Sequence, residues 1–345
     1  MDRERARALE RVPHGSSDDP DVVDFSANTN PRTPEGTEAV YREAFADASR
    51  YPAEPPEAYR AAAAAYVDRD RADGADSITP EQVVPTPGGL AAMRLAIALA
   101  VDPGDTVLVP APSFGEYARE VRLQGGDPVF VDAESVPDSD PESHAMAVVC
   151  NPNNPTGRAY EHDALREFAQ RCREAGACLL VDEAFLGFTD RPSMAGEEGV
   201  IVARSLTKLF GLPGIRAGFA VATGDLLAEL RGGRRAWNMG SPALAVGTHC
   251  MGQHEFVETT RERVRSERER IVAALGPHYD IVDSDAPFLL LDVGERSVES
   301  VLESATAAGI ELRDARTFRG LDSHVRAAVR GADDNDWLVE VLRDV

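Results

Sequence analysis

The residues most able to do chemistry lie in Arg204-Ser205-Leu206-Thr207-Lys208-Leu209-Phe210-Gly211-Leu212-Pro213-Gly214-Ile215-Arg216. The 345-residue chain holds 36 basic residues, and Lys208 is the only lysine among them; all the others are arginine. Arginine carries charge and binds anions, but only an ammonium that can lose its proton attacks a carbonyl and forms a Schiff base. The one primary amine kept in the chain is either a leftover surface charge or a reactive group, and its neighbours favour the second. Ser205 and Thr207 offer hydroxyls and Arg216 a two-pronged fork, a set able to hold a phosphate while Lys208 reaches an aldehyde. Pyridoxal 5'-phosphate carries both groups and is the cofactor these residues point to.

Three further stretches carry unusual residue types. Thr86-Pro87-Gly88-Gly89-Leu90 precedes a helical pattern running to about residue 100. Glycines at a helix N-terminus let the backbone close on an anion, where free N–H groups and the helix dipole favour negative charge. A plain turn is the alternative; in register with Lys208, Gly88, Gly89 and Leu90 make a phosphate cup. Asp182 ends an apolar run, and a buried carboxylate is costly unless paired. It is expected either to cap a helix or to face a protonated pyridine nitrogen, keeping that ring cationic so that it draws electrons from a substrate's α-carbon. Cys150-Asn151-Pro152-Asn153-Asn154-Pro155-Thr156-Gly157 contains two Asn-Pro steps and a glycine, which define an irregular loop that ordinary turns do not need.

Between residues 83 and 222, short apolar runs alternate with helical patterns, as in a mostly parallel sheet with covering helices. Seven strands are expected near 83–86, 106–110, 128–132, 146–150, 178–182, 200–204 and 217–221, with the chemistry at their ends. Helices are expected near 57–69, 89–100 and 255–275, the last a charged helix linking two domains. A small domain should follow, with short strands near 279–282, 288–293, 310–313 and 325–329. Residues 1–40, polar and proline-interrupted, read as an extended arm without a helix, packed on that small domain. The expected fold is therefore α/β. It has an arm at 1–40, a large domain at 41–225 holding the seven-stranded sheet, and a linking helix with a small C-terminal domain at 226–345.

Serine, lysine three residues on and arginine eight beyond resembles the lysine motif of fold-type I pyridoxal-phosphate enzymes, the aspartate aminotransferase superfamily. The loop at 151–157 is similar to that superfamily's Asn-Pro-x-Asn-Pro-Thr-Gly. The resemblance implies that Asn154 hydrogen-bonds the cofactor's phenolic oxygen and that Phe114 stacks on its ring, although a core phenylalanine is the alternative. It also implies a homodimer in which Tyr51 reaches the partner's cofactor phosphate. Most aminotransferases of the superfamily have tyrosine where Phe185 stands, so the phenolic oxygen would have one donor fewer here.

Asp24-Phe25-Ser26-Ala27-Asn28-Thr29-Asn30-Pro31 resembles the arm of histidinol-phosphate aminotransferases and threonine-phosphate decarboxylases, which makes Asn28 and, upstream, His14 candidate substrate contacts. Arg313 and Arg326 match the substrate-binding pair of those families, whose forks would hold carboxylate and phosphate. His14-Gly15, Asp182-Glu183-Ala184-Phe185, Ser205-Leu206-Thr207-Lys208 and Arg313-Asp314 followed by Gly320-Leu321-Asp322 look most like the threonine-phosphate decarboxylases. That likeness implies decarboxylation of L-threonine O-3-phosphate to (R)-1-aminopropan-2-yl phosphate in cobalamin biosynthesis. The alternative is a class I/II aminotransferase such as the histidinol-phosphate enzymes; a non-catalytic pyridoxal-phosphate-binding regulator is a third.

The formal net charge of −23 disfavours nucleic acid and anionic membranes as partners, since both would be repelled. A small phosphorylated amino acid and a second copy of the chain are the partners expected. The acid-rich, lysine-poor composition is like that of proteins from salt-loving organisms. Cys150, Cys172, Cys178 and Cys250 have neither metal-ligand spacing nor the density of a secreted disulfide scaffold, and no metal is expected. With no basic-then-apolar leader and no apolar run long enough to span a bilayer, a cytoplasmic location is the expectation.

Overall fold

The computed structural model describes residues 1–17, 19–72 and 74–344. Helix α1 (Arg3–Ala8), strand β1 (Val23–Asp24) and helices α2 (Thr37–Phe45) and α3 (Glu57–Asp68) come first. Strands β2 (Val83–Thr86), β3 (Thr106–Ala111), β4 (Asp127–Asp132), β5 (Met146–Cys150), β6 (Cys178–Asp182), β7 (Val200–Ser205) and β8 (Gly218–Val221) follow. Helices α4 (Gly89–Ala100), α5 (Glu116–Gln124) and α6 (His162–Glu174) are interleaved with them. Beyond lie α7 (Gly224–Gly233), α8 (Ser241–Met251) and α9 (His254–Leu275). Strands β9 (Asp280–Ile281) and β10 (Phe288–Asp292), helix α10 (Val298–Ala307), strands β11 (Ile310–Glu311), β12 (Arg313–Asp314) and β13 (His324–Ala328), and helix α11 (Ala332–Asp344) complete the described chain.

The seven expected strands form one sheet, in the order β2-β8-β7-β6-β5-β3-β4. Strand β8 runs antiparallel to both its neighbours, and the remaining pairs are parallel. Strands β5 and β6 are buried along their whole length because helices cover both faces, which is why they read as unbroken apolar runs. Side chains alternate across the sheet. Val109, Val148, Leu180 and Ala203 share one apolar layer with Ile97 of α4, Val121 of α5 and Leu230 of α7. Leu108, Val149, Val181 and Val202 share the opposite layer with Val67 of α3, Phe168 of α6 and Val264 of α9. Since β3, β5, β6 and β7 are parallel, their carboxyl ends meet along one edge, and the loops bearing Phe114, Asn154, Asp182 and Lys208 converge there.

A second, antiparallel sheet has the order β12-β13-β10-β9, and β1 pairs in parallel with β11. Two expectations need correction. The strand foreseen at 310–313 is two short strands in different sheets. Ile310 and Glu311 pair with Val23 and Asp24 of the arm, and the chain then crosses at Leu312 so that Arg313 pairs with Arg326. The arm also contains a helix. The Asp2 carboxylate accepts the Glu4 and Arg5 amides and so caps α1, while the Asp2 amide donates to Leu123 O (2.7 Å) and Arg5 to Gly126 O (2.6 Å), docking α1 against α5. Among the described residues no helix is long and apolar enough to cross a membrane.

Candidate active site

The converging strand ends, the arm and the β12–β13 hairpin enclose a cavity of about 250 Å3. His14, Asn28, Gly89, Leu90, Phe114, Asn154, Asp182, Ser205, Thr207, Lys208, Arg216, Arg313 and Arg326 all line it. Gly88 stands directly behind Arg216, whereas Tyr51 lies outside the cavity of its own chain, exposed and tilted against Trp237 (4.7 Å between ring centroids). In a chain of net charge −23 the lining carries, among the described residues, four cations, Lys208, Arg216, Arg313 and Arg326, against the single carboxylate of Asp182. Such a cavity selects anions.

Lys208 follows β7 on a loop that the arm crosses. Its carbonyl accepts the Asn30 amide (3.0 Å), and a Cβ on Gly211 (φ +66°) would sit 2.4 Å from Arg32 O, so glycine alone fits beneath the arm. Burial and the positive charges of Arg326 and Arg216 bring the Lys208 ammonium down to about 8, against which Asp182 and Asp24 pull only weakly. The amine is thus held near the point at which it becomes a nucleophile.

At the other end, Asp182 closes β6. Burial pushes its carboxyl up to about 6, although two hydrogen bonds favour the ionised form, from the Tyr117 hydroxyl to Oδ2 (2.6 Å) and from the Ala184 amide to Oδ1 (3.0 Å). Phe114 presents its ring between His14 and Tyr117, 5.7 Å from each. His14 Nε2 lies 3.5 Å from the buried Glu116 carboxylate. Phe185, where a tyrosine was the family expectation, packs edge-on against Phe288 (5.0 Å).

Gly88 enters α4 at φ +89°, a conformation that disfavours any side chain, and a Cβ there would fall 2.7 Å from Arg216 Nη2. A Cβ on Gly89 meets Ser205 Cβ at 3.1 Å, and Ser205 Oγ lies 2.8 Å from Thr207 Oγ1. Arg216 itself takes the left-handed conformation (φ +56°), which costs an arginine about 1–3 kcal/mol. The amides at the start of α4, two hydroxyls and this guanidinium can hold a phosphate.

Across the cavity, Arg313 and Arg326 are direct cross-strand partners on β12 and β13, which explains their spacing in sequence. Arg326 donates to Asn154 Oδ1 and to Ser26 O (2.7 Å), while its buried Nε has no partner. Arg313 donates to Pro13 O (2.7 Å) and Thr317 Oγ1 (2.8 Å). Neither forms an ion pair with a carboxylate among the described residues. Burial and the neighbouring Arg313 lower Arg326 to about 9, and burial lowers Arg313. The buried Asn28 Oδ1 is also without a partner, whereas Asn30 is an anchor, donating to Leu209 O (2.8 Å) and accepting from Arg263 of α9 (2.8 Å).

Tyr117, Cys150, Thr317 and Phe318 line the cavity as well and carried no signal along the chain. Tyr117 is the most consequential of them, because its partner Asp182 is 65 residues away. The arrangement fits pyridoxal phosphate: a glycine cradle that a Cβ would fill, a lone amine brought toward neutrality, and orphaned polar atoms facing excess positive charge.

Comparisons with known proteins agree. A provisionally assigned threonine-phosphate decarboxylase of Caldanaerobacter subterraneus subsp. tengcongensis is 33% identical over 255 residues, 68% of this chain and 70% of that one. A histidinol-phosphate aminotransferase of Haloarcula marismortui is 29% identical over 356 residues, 98% and 94% of the two chains. In structure, L-threonine-O-3-phosphate decarboxylase from Porphyromonas gingivalis superposes with a TM-score of 0.82 at 21% identity, covering 94% of this chain and 99% of that one. The sequence profile of the class I and II aminotransferases matches residues 20–342, and the chain belongs to this family of pyridoxal-phosphate enzymes.

Proposed function

We propose that the chain decarboxylates a small phosphorylated amino acid, L-threonine O-3-phosphate, releasing (R)-1-aminopropan-2-yl phosphate for cobalamin synthesis. The observation that carries this reading is the pair Arg313 and Arg326. Two buried guanidinium groups without carboxylate partners are anchored to different parts of the chain, Arg326 to Asn154 and Ser26, Arg313 to Pro13 and Thr317. Such a pair suits a substrate with two anionic groups, a carboxylate and a phosphate.

When bound, pyridoxal phosphate supplies a carbonyl that captures amines and a ring that withdraws electrons from the α-carbon. The protein's own residues do the rest. Gly88, Gly89, Leu90, Ser205, Thr207 and Arg216 would hold the cofactor phosphate, Asn154 would donate its unused amide nitrogen, and Phe114 would flank the ring. Asp182 would supply negative charge at the ring's far end. Lys208, with its proton held loosely, would serve as nucleophile toward the cofactor and then as a base or acid at the α-carbon. Arg326 and Arg313, with Asn28 and His14 from the arm, would fix which bond to the α-carbon lies in line for cleavage. The exposed Tyr51–Trp237 face suits a homodimer in which Tyr51 reaches the neighbouring copy's cavity.

A second reading is transamination of histidinol phosphate, favoured by the Haloarcula marismortui relative that spans 98% of this chain. One assay separates the two. The cofactor-loaded protein is mixed with O-phospho-L-threonine without any keto acid. Sustained carbon dioxide release is the outcome expected of the decarboxylase; no release, with amino transfer from histidinol phosphate to 2-oxoglutarate, identifies an aminotransferase.

A further inference from the structure

Among the described residues Asp182 is the only carboxylate of the cavity, and its nearest fixed contact comes from a residue with no part in the reading above. Tyr117 stands in the first turn of α5 and is 1% exposed. Its hydroxyl donates to Asp182 Oδ2 at 2.6 Å and also faces the Cys150 thiol, and its ring meets Phe114 edge-on. Burial and the adjacent Asp182 raise the phenol far above its ordinary range, so the hydroxyl is a permanent donor and never a competing anion. The other oxygen, Oδ1, accepts the Ala184 amide. Cys150, at the same end of the cavity, directs its thiol to Pro152 O (3.2 Å), and among the described residues the phenol is the only side-chain donor to the carboxylate.

We propose that Tyr117 is a positioning residue whose hydroxyl keeps Asp182 ionised and aimed, so that the proton shared between Asp182 and the cofactor's ring nitrogen stays on the nitrogen. The inference rests on Asp182 being the partner of that nitrogen. In a low-dielectric pocket, a carboxylate facing a protonated nitrogen competes with the neutral arrangement in which the carboxyl keeps the proton, and desolvation favours the neutral one. Each hydrogen bond donated to the carboxylate shifts the balance back to the charged pair. Among the described residues Asp182 has two such donors, one of them a backbone amide that no side-chain change removes. The phenol is therefore the adjustable half of the carboxylate's solvation. Loss of its hydroxyl leaves the ring in place against Phe114 and a bare Oδ2 in an apolar wall, with the proton moving to the carboxyl and the ring's hold on electrons weakened.

The test is 15N NMR of the wild type, Tyr117→Phe and Asp182→Asn, each loaded with pyridoxal phosphate labelled at the ring nitrogen. Melting curves of the loaded proteins confirm that Tyr117→Phe is folded. The wild type is expected to show a protonated nitrogen and Tyr117→Phe a signal moved toward the unprotonated position. The kcat of Tyr117→Phe should fall roughly ten- to hundredfold, the scale of losing one hydrogen bond to a charged group, with KM little changed. A folded Tyr117→Phe protein whose nitrogen signal matches the wild type overturns the proposal. If Asp182→Asn also leaves the signal unmoved, or the wild type binds no labelled cofactor, the underlying reading of Asp182 or of the cofactor has failed, and with it the inference.

Discussion

Asp182 and Glu183 are adjacent, both are buried, and they face opposite sides of the sheet with opposite consequences. Behind the sheet, Glu183 accepts from Ser193 Oγ (2.7 Å) and the Met194 amide (2.8 Å) and pairs with Arg204 Nε (2.7 Å). Arg204 continues to Asp70 (3.2 Å), and Asp70 to Arg261 of α9 (2.7 Å), so two arginines and two carboxylates neutralise one another. Burial alone would lower Arg204, but Glu183 and Asp70 overcome it and hold its pKa above the ordinary range. In front of the sheet, the same desolvation acts on Lys208, Arg313 and Arg326 with no carboxylate in contact, and all three are lowered. Buried charge that is matched by the protein fastens elements together, here α3, β6, β7 and α9. Buried charge left unmatched costs stability until a ligand of opposite sign arrives, and that asymmetry separates the site from the scaffold on physical grounds alone.

The comparison breaks most severely at Lys208. Lys208→Arg keeps the front positive but removes the one amine able to attack a carbonyl. Activity should fall by at least about a thousandfold, and the visible absorbance of covalently held cofactor should vanish from the spectrum. A retained band would assign the attachment elsewhere, although no second lysine exists to carry it. Next in size is a paired substitution across the sheet. Arg204→Met strands Glu183 without a cation, leaving Asp70 only Arg261, and should cost about 3–5 kcal/mol of stability in denaturant titrations. Arg326→Met in the cofactor-free protein loses two hydrogen bonds but also an unmatched charge, so its stability should stay within about 1 kcal/mol of the wild type. Its KM should nevertheless rise by roughly ten- to hundredfold. Equal destabilisation by the two substitutions would erase the distinction between scaffold and site.

The front of the sheet was far more legible in the sequence than the back. Lys208 stood out by being unique, Asp182 by ending an apolar run, Asn154 by its loop and the two arginines by their match to the substrate-binding pair of similar families, and all five line one cavity. The central strands of the large sheet were legible because burial on both faces writes a continuous apolar run, which the edge strand β4 lacks. Arg204, Glu183, Asp70 and Arg261 carried no such mark, because in a chain with 35 other basic residues a buried arginine looks like a solvated one until its partners are in place. Tyr117 was invisible for the same reason: a tyrosine in a helix is ordinary, and only tertiary packing brings its hydroxyl to Asp182. The short helix in the arm was missed because its cap and docking contacts lie close to the chain terminus, where the polar pattern is indistinguishable from loop.

The last expected effect is a pH dependence of stability that sharpens the front's description without touching catalysis. Asp182 is raised from 3.8 to about 6, so between those values the folded protein binds more protons than the unfolded chain, and stability falls as pH rises through that window. Lys208 is lowered from 10.5 to about 8, so between about 8 and 10.5 the unfolded chain binds more protons, and stability rises with pH there. Between the two windows both groups are charged in both states, and each costs the cofactor-free protein about 3 kcal/mol. Denaturant titrations of the cofactor-free protein should therefore show a trough at about pH 6 to 8, which Asp182→Asn should lift from its acid side and Lys208→Met from its alkaline side. Arg204 on the back, held above its ordinary range by Glu183 and Asp70, stays charged across this window and adds no such trough. A flat profile that neither substitution changes would mean that the front charges are better solvated than their burial requires, and the cavity would lose its claim to stored electrostatic cost.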